Sequence, residues 1–189
     1  MKTKIDVVQP EGNYYDKYHS SNPIVKWMMA NFKKSIKELL EILEKEPTKI
    51  CETGCGEGEI TTYIKQCMPK AHIDAFDISE KVILNATEQH DLVVCSEVLE
   101  HLEEPENALK KINEITADKG YILLSVPNEP IWRICNMARG KYLKQLGNTP
   151  GHIQHWSKRA FCKMLTKNNM RIIGTKTPFP WTMVLITKR

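Results

Sequence analysis

Ile50-Cys51-Glu52-Thr53-Gly54-Cys55-Gly56-Glu57-Gly58 decides how this chain is read. An acidic residue and three alternating glycines follow directly on a strand-like start at Lys49 to Glu52. Glycine takes positive φ without penalty and lets a ligand approach where a Cβ would clash, so three in five positions predict a tight turn pressed against something. The spacing narrows what that something is. A dinucleotide fingerprint, G-x-G-x-x-G, needs its third glycine where this chain has Glu59; here it comes one residue early, at Gly58, and Glu52 stands two before the first. One reading is a loop for a nucleoside-bearing cofactor. The other is a glycine-rich turn with no ligand.

Three later segments extend the first reading. Ala71 to Phe76 reads as a second strand, and Asp77 follows it, 19 residues after Gly58; a carboxylate there offers two acceptor oxygens to a ribose diol. Asp91 to Leu102 (DLVVCSEVLEHL) reads as a buried strand running into a helix, and Gly120 to Asn128 as another strand. Together they carry a resemblance. E-x-G-x-G-x-G resembles motif I of the class I S-adenosylmethionine-dependent methyltransferases, DLVVCSEVLEHL resembles the fourth strand and following turn of the ubiquinone-biosynthesis (type 11) branch, and Gly120 to Asn128 is similar to its fifth strand. The resemblance spans roughly Asn13 to Arg189. It implies a doubly wound, mostly parallel α/β sheet of Rossmann-like type with an antiparallel last strand. It also implies S-adenosylmethionine held by Glu52, Gly54, Cys55, Gly56 and Gly58, with Asp77 on the ribose and the backbone around Cys95 and Ser96 near the adenosine.

One departure from that pattern is large. Between Asp77 and Asp91 the family has a helix, a third strand and an acidic turn that grips adenine, whereas this chain has 13 residues there. Either Ser79 to Gln89 is a single crossover helix, since a parallel connection needs about a dozen residues, or Lys81 to Asn85 is a stub of the strand. The third strand is expected to be missing or vestigial, and the adenine carboxylate has no clear counterpart.

With 189 residues the chain is expected to form one domain, with residues 1–22 as an N-terminal arm and 130–157 as an insertion. It has no apolar run of about 18 residues and no signal-peptide pattern, so a cytoplasmic location is expected. Six cysteines without a C-x-x-C pair read as reduced thiols and not as a zinc site. Charge is divided unevenly: residues 1–130 hold 15 Lys and Arg against 23 Asp and Glu, while residues 131–189 hold 12 Lys and Arg and no acid. Those cations either balance the acidic part within the fold or face an anionic partner: a phosphorylated substrate, RNA or an acidic membrane surface.

Periodicity places the remaining elements. Ile24 to Leu43 carries apolar residues at helical spacing and reads as an amphipathic helix packed on the sheet. Gly58 to Cys67 and Pro105 to Ile115 read as helices, Asp118-Lys119-Gly120 as a turn, and Met170 to Lys176 with Thr182 to Lys188 as an edge hairpin. Pro130 to Leu146 reads as a basic amphipathic segment, which in a family of this kind covers the acceptor site. Such a lid suits a small or lipid-like, anionic acceptor or peripheral membrane contact; packing on its own domain is the plainer reading. Tyr14, Tyr15, Tyr18 and His19 either close over the cofactor or anchor the arm.

Methyl transfer from a sulfonium depends on alignment more than on acid or base. A hydroxyl acceptor, however, gains from a base or a metal. Glu97, Glu100 and His101 form E-x-x-E-H, expected on one face at the start of a helix, and His152 and His155 follow with Trp156. The combination resembles the ubiquinone-type O-methyltransferases and the small-RNA 3′-terminal 2′-O-methyltransferases. It implies Glu97, Glu100, His101 and His152 as ligands of a divalent ion and His101 or His155 as a base, on a small acceptor or, alternatively, RNA. A protein of this fold that binds the cofactor without catalysis is the reading from a different class.

Overall fold

The computed structural model describes residues 17–76 and 88–188. Asp77, both alternatives for the third strand, Tyr14 and Tyr15 lie outside the described residues. The elements run α1 (Pro23–Leu40), β1 (Lys49–Thr53), α2 (Glu59–Cys67), β2 (His72–Phe76), β3 (His90–Ser96), a 3₁₀ turn (Leu99–His101), α3 (Pro105–Glu114), β4 (Thr116–Pro127), α4 (Glu129–Ala138), a second 3₁₀ turn (Leu143–Gln145), α5 (Lys158–Lys167), β5 (Arg171–Lys176) and β6 (Trp181–Thr187). One six-stranded sheet has the order β2-β1-β3-β4-β6-β5. Strands β2, β1, β3 and β4 are parallel, and β6 runs antiparallel between β4 and β5. The α/β architecture and the antiparallel C-terminal pair agree with the sequence expectation. Among the described residues, no strand pairs with the outer side of β2.

Alternation along the strands sorts the core into two layers, because successive side chains leave a strand on opposite faces. Ile50, Leu92, Val94, Leu123, Met183 and Leu185 point to one face, where α1 and α2 cover them. Cys51, Val93, Cys95, Ile122, Leu124, Val184 and Ile186 point to the other, against Leu109 and Ile112 of α3 and Phe161 and Leu165 of α5. Burial on both faces is why β3 reads as an unbroken apolar run. It also makes Cys51 and Cys95 inert: burial pushes each thiol up to about 12.

Local chemistry sets the element ends. Helix α1 starts where the Asn22 side chain accepts the Ile24 N–H at 2.9 Å with Pro23 in the first turn. Its buried stripe is Val25, Met29, Phe32, Ile36, Leu39 and Leu40; the helix ends three residues before the expected Leu43, and looser turns at Ile42 and Leu43 follow. The Asp118–Gly120 turn is a bulge between His90↔Thr116 and Leu92↔Tyr121. Lys119 there has φ 62°, and a Cβ on Gly120 would meet the Ala117 carbonyl oxygen at 2.8 Å, so the glycine is required by close approach.

Two basic residues of the C-terminal part pair within the fold: Lys176 with Glu38 at 2.5 Å and Lys188 with Asp118 at 3.7 Å. That much of the charge asymmetry is internal balance. Phe32, fully buried, meets Trp181 edge-on at 4.9 Å and ties α1 to β6. Phe32→Ala leaves a cavity at that joint and is expected to cost about 3–5 kcal/mol, measured by urea unfolding; a loss below about 1 kcal/mol would show that α1 does not anchor the sheet.

Candidate functional site

The chain leaves β1 outward to β2, then returns to β3 on the other side of β1. A crevice opens between the C-terminal ends of two such strands, where ligands of open α/β sheets bind. The glycine loop forms one wall. Gly54, Gly56 and Gly58 have φ of 79°, 48° and 77°, and nothing lies within 4 Å of a Cβ built on Gly56 or Gly58. Backbone conformation, not crowding, requires these glycines, and the space above them is open. The loop is fixed by Gly54 and Cys55 N–H groups donating to the Phe76 carbonyl at 2.7 and 3.1 Å. Gly58 then starts α2 without a side-chain cap, which leaves the helix N-terminus bare toward the crevice.

Glu52, at the end of β1, is 1% exposed. Its Oε2 accepts the Thr61 hydroxyl of α2. Burial raises its carboxyl above the ordinary value, and the Thr61 hydrogen bond opposes this. Glu52, Gly54, Cys55, Gly56, Ser96 and Glu97 line a cleft of about 230 Å³, with Lys17 and Tyr18 closing it. Ser96 shares a 2.7 Å hydrogen bond with Ser125. The Cys95 side chain is buried in the core on the far layer, so only its backbone can take part.

A second, larger chamber of about 330 Å³ adjoins the cleft, and Lys17 and Glu97 line both. Its walls include Met28, Met29, Trp132, Tyr142 and Trp181, with Arg139 and Lys141 also lining it and Glu100, His101 and His152 among its polar residues. Here the structure corrects the helix expected from Glu97. Glu97 has φ 60° and lies before the three-residue turn Leu99–His101, so Glu97 and Glu100 do not share a helical face. The reason is a tertiary bond: Glu97 Oε2 accepts the Trp181 indole N–H at 2.6 Å and pairs with Lys17 at 3.5 Å. Burial lowers the Lys17 ammonium, but Glu97, Tyr18 and Glu100 together outweigh it and hold the pKa above its ordinary value.

Glu100 is 1% exposed, and among the described residues neither carboxylate oxygen has a hydrogen-bond partner. Burial, then repulsion from Glu97, pushes its carboxyl well above the usual range. Its backbone carbonyl accepts the N–H groups of Ile153 and Gln154 at 2.8 and 3.0 Å, and His101 Nδ1 lies 2.9 Å from the Gly151 carbonyl oxygen. These bonds lash the 151–154 segment over the 3₁₀ turn. His101 is held below its ordinary pKa by burial. His152 meets it edge-on at 5.0 Å. One ligand atom each of Glu100, His101 and His152 fall within 4.8 Å of one another. Three of the four sequence-predicted ligands therefore come together, and Glu97 stands apart. His155 does not line the chamber; its Nδ1 is 3.7 Å from Glu129 Oε2.

Glu129, Trp181, Thr61 and Lys17 went unread in the sequence. Glu129 is buried and its Oε1 lies 2.5 Å from His152 Nδ1. The one available signal was its place as the last acid before a stretch with none. The insertion after β4 folds as α4 and irregular segments carrying Trp132 and Arg139 to the chamber. Among the described residues no helix is long and apolar enough to cross a membrane.

Comparisons with known proteins bear on the family and the fold. A family model described as a methyltransferase domain matches residues 25–174. The malonyl-[acyl-carrier protein] O-methyltransferase of Hahella chejuensis is 35% identical over 68 residues, an alignment that spans 35% of this chain and 24% of that protein. The structure of magnesium protoporphyrin IX methyltransferase from Synechocystis PCC 6803 with bound S-adenosylhomocysteine superposes with TM-score 0.63 at 17% identity, covering 90% of this chain and 89% of that one. The plantazolicin methyltransferase in complex with S-adenosylhomocysteine gives TM-score 0.62 at 16% identity, covering 89% and 92%. The chain belongs to the methyltransferase domain family.

Proposed function

We propose that the glycine-loop cleft takes S-adenosylmethionine and that the adjoining chamber takes a small, apolar, anionic acceptor, which is methylated at oxygen. The cleft fits the donor on three counts. Room lies over Gly56 and Gly58, the α2 N-terminus is uncapped by any side chain, and Glu52 holds a buried carboxylate with one hydroxyl partner. Asp77, beyond the end of β2, remains the candidate for the ribose hydroxyls, and the backbone at Cys95 and Ser96 for the adenosine. Bound donor supplies an electrophilic methyl on a sulfonium. The protein's part is to align an acceptor oxygen with it through the passage beside Lys17 and Glu97.

The observation that carries the acceptor chemistry is Glu100, a buried carboxylate with both oxygens unpartnered beside two imidazoles. Such a carboxylate is costly unless a cation or a proton compensates it. Glu100, His101 and His152 would hold a divalent ion of the borderline type favoured by mixed nitrogen and oxygen ligands, and an ion there lowers the pKa of an acceptor hydroxyl. Trp132 and Trp181 suit a flat apolar body, and Arg139 and Lys141 suit an anionic group on it. The second reading uses no ion: His101 donates Nδ1–H to the Gly151 carbonyl at 2.9 Å, which leaves the Nε2 lone pair to take the hydroxyl proton as the oxygen–carbon bond forms and the carbon–sulfur bond breaks. RNA is the alternative acceptor, and a cytoplasmic location fits either.

Two measurements test this. Glu52 has a raised folded-state pKa, so its contribution to stability is present below 4.5 and is lost as pH rises through the folded value. Glu52→Gln is therefore expected to match or exceed the parent's thermal stability at pH 8, with the advantage shrinking as pH falls toward 4.5, while calorimetry shows S-adenosylmethionine binding at least about tenfold weaker. Undiminished binding would remove Glu52 from the donor site. Transfer of labelled methyl into fractionated cell extract is expected to mark small acceptors, to stop with chelator and to return with Mn²⁺. Label confined to RNA would overturn the acceptor class, and chelator-resistant transfer would leave His101 as the base.

A further inference from the structure

We propose that Glu129 is the positioning residue of the chamber: it takes the Nδ1 proton of His152 and so holds that ring with its Nε2 lone pair turned to Glu100 and His101. The inference rests on the reading of the chamber as the acceptor site. Glu129 opens α4 immediately after β4 and is 2% exposed. Its own N–H donates to the Trp156 carbonyl at 3.0 Å, so its backbone is pinned to the chain just beyond the two histidines. Its Oε1 lies 2.5 Å from His152 Nδ1, and its Oε2 lies 3.7 Å from His155 Nδ1. On this proposal the carboxylate oxygen accepts in this contact and the imidazole is neutral. The proton in the short contact therefore sits on Nδ1 of His152, and Nε2 carries the lone pair.

The arrangement repeats what the fold does with His101, whose Nδ1 donates to the Gly151 carbonyl oxygen at 2.9 Å. Both rings thus spend Nδ1 on the protein and keep Nε2 for the chamber. Trp132 lies over His152 at 6.5 Å with planes 28° apart, which restrains the ring from turning. Carboxylate or carbonyl partners of this kind fix tautomer and orientation of functional histidines. Glu129 itself does not line the chamber, so it acts through His152 and not on the acceptor. Its side-chain partners among the described residues are both histidines, and a carboxylate so buried is hard to account for as a stabilising element.

Long-range ¹H–¹⁵N spectra of protein labelled at histidine nitrogen, with no ion or donor added, read the tautomer directly. The parent is expected to show His152 protonated at Nδ1. Glu129→Gln, whose amide oxygen still accepts, is expected to keep that tautomer and to bind Mn²⁺ within about threefold of the parent, while Glu129→Leu loses the Nδ1–H signature and weakens Mn²⁺ by about tenfold to a hundredfold. An Nε2–H tautomer in the parent, or an unchanged tautomer in Glu129→Leu, would overturn the proposal; if Glu129→Leu does not fold, the parent spectrum alone decides. Because the tautomer is read without methyl transfer, a wrong acceptor class leaves this result standing, and a wrong tautomer leaves the donor site untouched.

Discussion

The parallel pairing of β1 with β3 constrains everything downstream of it. Register places Glu52 opposite Val94 and Thr53 opposite Cys95, so the two strands end side by side. The chain must then turn away in two directions: through Gly54–Gly58 into α2 on one side, and through Glu97–His101 on the other. Glycine φ values above 45° in the first turn and φ 60° at Glu97 in the second are what such tight exits require. The crevice between them is a consequence of strand order, and the polar groups at its rim are whatever the two turns carry.

Three carboxylates gather at this end of the sheet, one on a turn, one closing β1 and one opening α4, and all are buried. Glu52, Glu100 and Glu129 are each exposed by 2% or less. Desolvating a carboxylate works against folding unless a proton, cation or strong donor compensates it. Among the described residues, Glu52 has a hydroxyl, Glu100 has no hydrogen-bond partner for either oxygen, and Glu129 has two imidazoles. Three such groups around one pair of cavities are better explained by ligands than by stability. Glu97 is the exception that closes the arrangement: the Trp181 indole and Lys17 satisfy one of its oxygens, and because Trp181 also packs on Phe32, the core of the α1 layer and the wall between the two cavities share one side chain.

The fold was legible because periodicity and glycine spacing are local signals. Residues 50–58 and the apolar run at β3 form their elements where the sequence put them, while α1 forms but ends at Leu40 and leaves Ile24 and Trp27 of its expected stripe exposed. The site was half legible. Glu100, His101 and His152 do converge, although the helical argument for Glu97 failed, since the strand exit and a bond from Trp181, 84 residues away, override a spacing rule. Glu129 had no motif to announce it: its partner His152 is 23 residues on, and only folding brings a lone acid to a histidine. His152 was read as a ligand and His155 as a base, yet the turn at 151–154 puts only His152 at the chamber and leaves His155 Nδ1 3.7 Å from Glu129 Oε2.

The proposed function requires one opening beside Lys17 and Glu97 to join the donor cleft to the acceptor chamber. A crystal structure with S-adenosylhomocysteine tests it most directly. The account predicts the homocysteine part lying over Gly54–Gly58 with its sulfur at that opening, turned toward the space bounded by His101 and Trp132. A sulfur directed away from the chamber, or a ligand seated outside the glycine loop, would contradict it.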